Sequence, residues 1–228
     1  MRDSPRNDIL NEIALAIGKI ELPHPVRVGI DGLSASGKTI LADELAELLQ
    51  EGGRKVIRAG LDGFHNPPET RHRQGPMSVD GYVEDSFDYL AVREKVLQPL
   101  GPDGNGWYCP EIFDHQKGEP LETDPRESTT DSILLFEGVM LFRKELVDFF
   151  DFRILIICSE KVILERAKVR DLVHFGDLET LLEKYGKRFL PGQNRYFSEN
   201  HPEQVADLLF LNDDPEKPNL SLPNEKKG

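Results

Sequence analysis

Apolar residues Leu10, Ile13, Ile17 and Ile20 recur at helical spacing and predict an amphipathic helix over Asn7 to Ile20, which Pro23 and Pro25 bring to an end. Val26 to Asp31 follows as a short buried strand. Leu41, Leu45, Leu48 and Leu49 then return to helical spacing, and Glu51-Gly52-Gly53 supplies a stop. Lys55 to Leu61 reads as a second strand ending in Asp62-Gly63-Phe64-His65. Beyond it, a polar stretch rich in proline, arginine and glycine runs to Gly81 as a long functional loop. Asp85 to Leu97 predicts a helix, closed by Pro99-Leu100-Gly101-Pro102 and a glycine-rich turn through Gly106. Ser132 to Phe136 and Phe152 to Ile157 are mostly apolar runs, as expected of strands covered on both faces, and Ala206 to Leu211 supplies a fifth strand. Helices are expected at Leu141 to Phe149, Glu160 to Asp171 and Asp177 to Tyr185.

Five short apolar strands alternating with helices specify an α/β fold, a doubly wound parallel sheet whose ligands gather outside the carboxyl ends of the strands. Three stretches are expected: an N-terminal helix packed on the core (1–22), a main domain (23–212) with a helical lid near 171–190, and a mobile acidic and polar tail (213–228).

The formal net charge of −13 changes the picture of partners. Nucleic acid and anionic membrane both call for a basic face, so neither is expected, and a polyanionic ligand must meet a local cluster of cations. Cys109 and Cys158 lie far apart without metal-ligand spacing, and no apolar run approaches a membrane span, which fits a reduced, cytoplasmic setting. The sequence is compatible with a homo-oligomer.

Between the first strand and the second helix, Gly32-Leu33-Ser34-Ala35-Ser36-Gly37-Lys38-Thr39 matches G-x-x-x-x-G-K-[ST] at every fixed position. Such a loop turns backbone N–H groups toward phosphate oxygens, and the following helix adds its positive end. A nucleoside triphosphate is therefore the expected ligand, with Lys38 reaching the β/γ-phosphates and Thr39 ligating Mg²⁺. The loop residues Gly32, Ser34, Ala35, Ser36 and Gly37 would cradle the phosphates.

Other residues supply the remaining chemistry. Glu137, at the end of the third strand, is the second metal candidate, because a hard cation takes oxygen ligands; it could equally cap the strand. Asp62 is the candidate base for an attacking hydroxyl, against a plain turn aspartate paired with Gly63. Arg166 and Arg170, spaced i, i+4, share one helix face and could contact a transferring phosphoryl group, though charged helix faces are often only solvated. Lys187 and Arg188 follow as further cations. Arg71-His72-Arg73 is a compact basic cluster that either recognises an acidic substrate or is a solvated loop. Tyr82, Asp85 and Tyr196 are further candidate contacts, against packing or capping roles.

The glycine loop, the Asp62-Gly63-Phe64-His65 strand end, Glu137-Gly138, Arg170-Asp171 and the Ala206-Asp207 strand together resemble the uridine kinase family and its relatives, which include phosphoribulokinase and bacterial pantothenate kinase. The resemblance runs from about Val26 to Leu211. It implies ATP and Mg²⁺ as co-substrates, Asp62 as the base and a helical lid over the phosphates. Three departures bear on the acceptor. His65 stands where uridine kinases usually carry tyrosine, Phe113-Asp114-His115 lacks the phenolic hydroxyl of their base-binding Tyr-Asp, and Val173 to Asp177 lacks their lid Arg-Gly-Arg. His65, Arg71, Tyr82, Phe113 and His115 are the acceptor-side candidates.

The expected activity is transfer of the γ-phosphoryl group to a hydroxyl of a small molecule, a nucleoside first and a sugar, sugar phosphate or pantothenate-like acceptor second. A nucleotide-dependent switch or regulatory ATPase is the alternative of another class. Against a GTPase switch, no Asn-Lys-x-Asp segment stands near the fifth strand.

Overall fold

The computed structural model describes residues 4–115 and 117–223. Six strands form the central sheet: β1 (Val26–Gly32), β2 (Lys55–Gly60), β3 (Ser132–Gly138), β4 (Phe152–Ile157), β5 (Leu208–Leu211) and β6 (Asn219–Ser221), in the order β6-β5-β4-β1-β3-β2. Every residue of β1 is buried, as a central strand with both faces covered requires. The first five strands are parallel, and β6 runs antiparallel to β5.

The sixth strand departs from expectation, because Asn219–Ser221 lies within the stretch read as a mobile tail. Backbone pairing explains it: the polar composition of that stretch hid an edge strand that needs only hydrogen bonds to β5 and the packing of Leu220 against the core. Residues 224–228 lie outside the described residues.

The helices used below are α1 (Pro5–Gly18), α2 (Lys38–Glu51), α3 (Val79–Asp85), α4 (Glu160–Arg170), α5 (Leu178–Lys184) and α6 (Leu190–Asn200). Ser4 caps α1 by accepting from Asn7 N, and Pro5 occupies the first turn, where its missing N–H costs nothing. Leu10, Ile13, Ala14 and Ile17 bury the inner face of α1 in one core layer with α2 and the sheet. A second layer on the other face gathers Phe64, Tyr82, Phe136, Phe142 and Phe150.

Two helix expectations are corrected. The segment read as one helix over Asp85–Leu97 breaks at Ser86 and Phe87. Asp88 caps a new helical start through Ala91 N, and its own N–H reaches Phe64 O, so the chain continues as Tyr89–Val92 and a wider turn over Arg93–Leu97. Leu141–Phe149 forms turns and a short 3₁₀ segment, Val147–Phe149. Met140 sits at φ 58°, and Leu146 N and Val147 N both donate to Arg143 O, which tightens the chain away from a regular helix. Helix α6 accommodates Pro191 because the proline falls in its first turn.

Strand register positions the site. Gly60 lies opposite Glu137, Ile30 opposite Glu137 on the other side, and Gly32 opposite Ile156. The carboxyl ends of β2, β3, β1 and β4 are thus level, and the residues that leave them emerge along one rim.

Candidate active site

The glycine loop leaves β1 and turns directly into α2, with Ala35 at φ 60° and Gly37 at φ 99°. Gly37 is needed twice over: its backbone is left-handed, and a Cβ there would lie 2.9 Å from Asn212 Nδ2. Asn212 itself donates to Ser36 O at 2.8 Å, so β5 braces the loop from behind. Ser36 Oγ is buried without a hydrogen-bond partner. A loop of turned-in backbone carrying an unpaired hydroxyl fits an oxyanion ligand.

Lys38 is buried, and its Nζ donates to Gly32 O at 3.1 Å and Leu33 O at 2.9 Å. Burial lowers its pKa, while the charges of Glu137, Asp31 and Asp62 act in the opposite direction. Those three carboxylates stand around one ammonium. Thr39 Oγ1 donates to Glu137 Oε1 at 2.8 Å, bringing together the two residues expected at the metal. An alcohol and a carboxylate form an oxygen-only donor pair of the kind Mg²⁺ accepts beside phosphate oxygens. Among the described residues no cluster of three or more His, Cys, Asp or Glu could hold a metal without such help.

Asp62 leaves β2 in a single 3₁₀ turn, Leu61–Phe64, and is exposed. Its charge acts on Lys38 and also on Arg170. Gly63 beside it has a packing reason as well as a turn reason. A Cβ there would meet Glu111 Cβ at 2.7 Å, and Gly63 O accepts from Ile112 N, which draws the Phe113 loop against the Asp62 turn.

The acceptor-side candidates meet on this wall. His65 Nδ1 lies 3.0 Å from Asp62 O, its ring is 4.5 Å from that of Phe87 and 6.0 Å from that of His115. Burial lowers the His65 pKa, with Arg71 and His115 adding to the effect and Asp62 opposing it. Arg71 stands over the Phe113 ring at 5.9 Å. The Arg71-His72-Arg73 cluster divides, because Arg73 leaves to pair with buried Asp85, which also accepts from Gln74. Asp85 is thereby a structural carboxylate. Tyr82 is buried and accepts from Gln193 Nε2 at 3.0 Å, so its hydroxyl is engaged within the protein.

Two arginines expected on one face separate in role. Arg170 pairs with Asp171 at 2.9 Å and lies within reach of the Tyr185 hydroxyl, facing the charges of Asp62 and Lys38. Arg166 instead donates to Ser36 O at 3.1 Å and Asn212 O at 2.6 Å, which ties it to the back of the loop. Neighbouring carbonyls hold the Arg166 guanidinium, so contact with a transferring group would require it to leave them, as Lys38 would leave its own. Arg166 and Arg170 both line a cavity of about 560 Å³ beside the loop, together with Arg6, Ile40, Asn212 and Pro215. Arg6 is fixed there by Glu44 and by Pro215 O at 2.8 Å.

Sequence reasoning missed two anchors. Asp31 is wholly buried at the end of β1. It accepts from Gly32 N, from Phe142 N and from the Tyr196 hydroxyl, and its burial raises its pKa against those bonds. Gln193 accepts from Ser34 N at 2.9 Å and donates toward Ser34 Oγ at 3.3 Å. Gln193 and Tyr196 both sit on α6, so Tyr196 is a brace for the loop. The signal for Asp31 was an acid at the last position before the glycine loop; Gln193 gave none.

The fold and the glycine loop together are those of a P-loop α/β protein. No family model matches the chain. It is similar to uridine-cytidine kinase B of Dictyostelium discoideum, 29% identical over 175 residues that cover 76% of this chain and 70% of the relative. It is also similar to a uridine kinase of Lactobacillus helveticus, 23% identical over 196 residues, 85% of this chain and 88% of the relative. Its fold matches a structure described as a possible uridine kinase from Bacillus stearothermophilus, with TM-score 0.71 and 22% identity, covering 89% of this chain and 97% of that one. The resemblance to uridine kinases read from the motifs, and the P-loop kinase fold, are borne out.

Proposed function

We propose that the chain is an ATP- and Mg²⁺-dependent kinase that transfers the γ-phosphoryl group to a hydroxyl of a small metabolite. The observation that carries this reading is the place of Asp62: an exposed carboxylate whose charge acts on both Lys38 of the donor loop and Arg170 of α4. In phosphoryl transfer the protein mainly positions the reactants and neutralises charge. Asp62 takes the proton as the acceptor oxygen attacks and ADP departs. Lys38 leaves the carbonyls of Gly32 and Leu33 for phosphate oxygens, and Arg170 stabilises the spreading negative charge. Thr39 and Glu137 would hold Mg²⁺, which when bound offsets charge on the phosphates. The cavity bordered by Arg6, Ile40 and Arg166 suits the base of the nucleotide.

The relatives' names make a nucleoside the first acceptor to test. A sugar, sugar phosphate or pantothenate-like acceptor is the second reading, favoured by Arg71 and Arg188, neither of which forms an ion pair among the described residues. A cytoplasmic setting accords with two free cysteines, and no helix among the described residues is long and apolar enough to cross a membrane.

ADP release, measured with and without nucleosides, sugars and sugar phosphates, tests the reading. A kinase shows strong stimulation by one acceptor class; turnover indifferent to every acceptor and governed by a protein partner would instead mark a switch. Asp62→Asn is expected to lower kcat by about 10² to 10⁴ with nucleotide affinity kept. Near-normal transfer by that variant would remove Asp62 as the base.

A further inference from the structure

Three cationic side chains, Arg71, Lys184 and Arg188, converge beside the acceptor wall, and among the described residues none of them forms an ion pair. Lys184 Nζ and Arg188 Nη1 both donate to the single carbonyl of Pro76, each at 2.6 Å, and Arg188 Nη2 reaches Arg71 O at 3.5 Å. Arg188 is only 3% exposed, and the Nε atoms of Arg188 and Arg71 are buried with no hydrogen-bond partner. His72 lies among the charges of Arg188, Arg71 and Lys184. Asp85 is committed to Arg73 and Asp171 to Arg170, which leaves Asp62, facing the reaction site, as the carboxylate whose charge acts on His65 and Tyr82.

A neutral carbonyl dipole satisfies hydrogen bonds but cannot offset two full positive charges that share it. Burying cations without a counter-charge is costly, so such an arrangement persists where a ligand supplies the missing charge. The setting matters all the more in a chain of net charge −13, which among the described residues places no acid in an ion pair here. Arg71 links this cluster to the reaction site, because its guanidinium lies over Phe113 and its charge acts on His65, whose ring nitrogen lies against the Asp62 backbone.

From this geometry we infer that the acceptor carries an oxyanion, a phosphate or a carboxylate, seated between Arg71 and Arg188 while its hydroxyl faces Asp62. The inference rests on the kinase reading above and narrows its acceptor: a nucleoside or sugar skeleton would have to bear an acidic group. Planar guanidinium forks suit either oxyanion. Burial lowers the pKa of Arg71, Arg188 and Lys184, and among those three no neighbouring carboxylate is a cause that raises one back.

Calorimetry with inorganic phosphate and with malonate tests the inference on the whole protein. Each probe is titrated into the unaltered chain, into Lys38→Ala and into Arg71→Ala, and the two probes separate phosphate from carboxylate recognition. At least one probe is expected to bind a site that Lys38→Ala retains and that Arg71→Ala weakens at least about tenfold. Among the described residues Arg71 donates no side-chain hydrogen bond to the protein, so its removal is expected to leave the fold intact, and Arg188→Lys checks the need for the fork. Failure of both probes to bind Lys38→Ala, or equal binding by Arg71→Ala, overturns the inference. So does uridine turnover that matches ribose 5-phosphate turnover in kcat/KM and is unchanged by Arg71→Ala. The kinase reading fails separately, if the unaltered chain does not bind a non-hydrolysable ATP analogue or if Lys38→Ala binds it as well.

Discussion

The glycine loop and the acceptor wall stand on the same rim of the sheet yet are built in opposite ways. The loop is eight consecutive residues whose function lies mostly in backbone N–H groups, braced from behind by Asp31, Asn212, Gln193 and Tyr196. The wall is assembled from side chains of at least four distant segments, Asp62 to Arg71, Tyr82, Phe113 to His115 and Lys184 to Arg188. A site made of backbone can be written as a local motif, because glycine positions and a helix start dictate it. A site made of converging side chains is set by which segments the fold brings together, and its specificity can change without touching the donor loop.

Breaking the loop gives a large effect that no acceptor escapes. Lys38→Ala is expected to lower kcat/KM by about 10² to 10³ with any acceptor, since it removes charge stabilisation common to every substrate. Steady-state ADP release checks it, and an acceptor-dependent loss would mean that the two halves are not separable.

The brace between them offers a smaller but sharper test. Tyr196→Phe removes a hydroxyl bond to the buried Asp31 carboxylate and is expected to cost about 1 to 3 kcal/mol of stability, read from denaturant unfolding. The same variant should raise KM for ATP more than KM for the acceptor, because α6 holds the loop through Asp31 and Gln193. Equal effects on both would make α6 a general packing element only.

The smallest effect belongs to His65. Its folded-state pKa lies below the ordinary 6.5, chiefly through burial, so the unfolded chain binds the proton more readily. Stability is therefore complete above 6.5 and falls as pH drops below it. His65→Gln should flatten the melting temperature between pH 7 and pH 5 by an amount worth under about 1 kcal/mol, measured by thermal denaturation across that range.

Helix α2, the central strands and the glycine loop were legible because hydrophobic spacing and glycine placement report local backbone requirements. The break at Ser86 and the start of α6 at Leu190 were not, since each turns on a cap or a terminal position visible only once the neighbours are in place. Thr39 and Glu137, named together as metal candidates from strand-end logic, meet at 2.8 Å. Arg166 and Arg170 shared a predicted face, but four residues of helix carry one to the carbonyls of Ser36 and Asn212 and the other to Asp171.

The sequence by itself determined the parallel α/β architecture and the phosphate loop with its lysine and threonine, because local spacing and turn geometry suffice for these. Tertiary structure alone decided that Arg73 leaves the basic cluster for Asp85 while Arg188, more than a hundred residues away, joins Arg71 beside Pro76. The physical reason is that a buried charge selects partners by proximity in space, and proximity across distant segments is fixed only when the core closes.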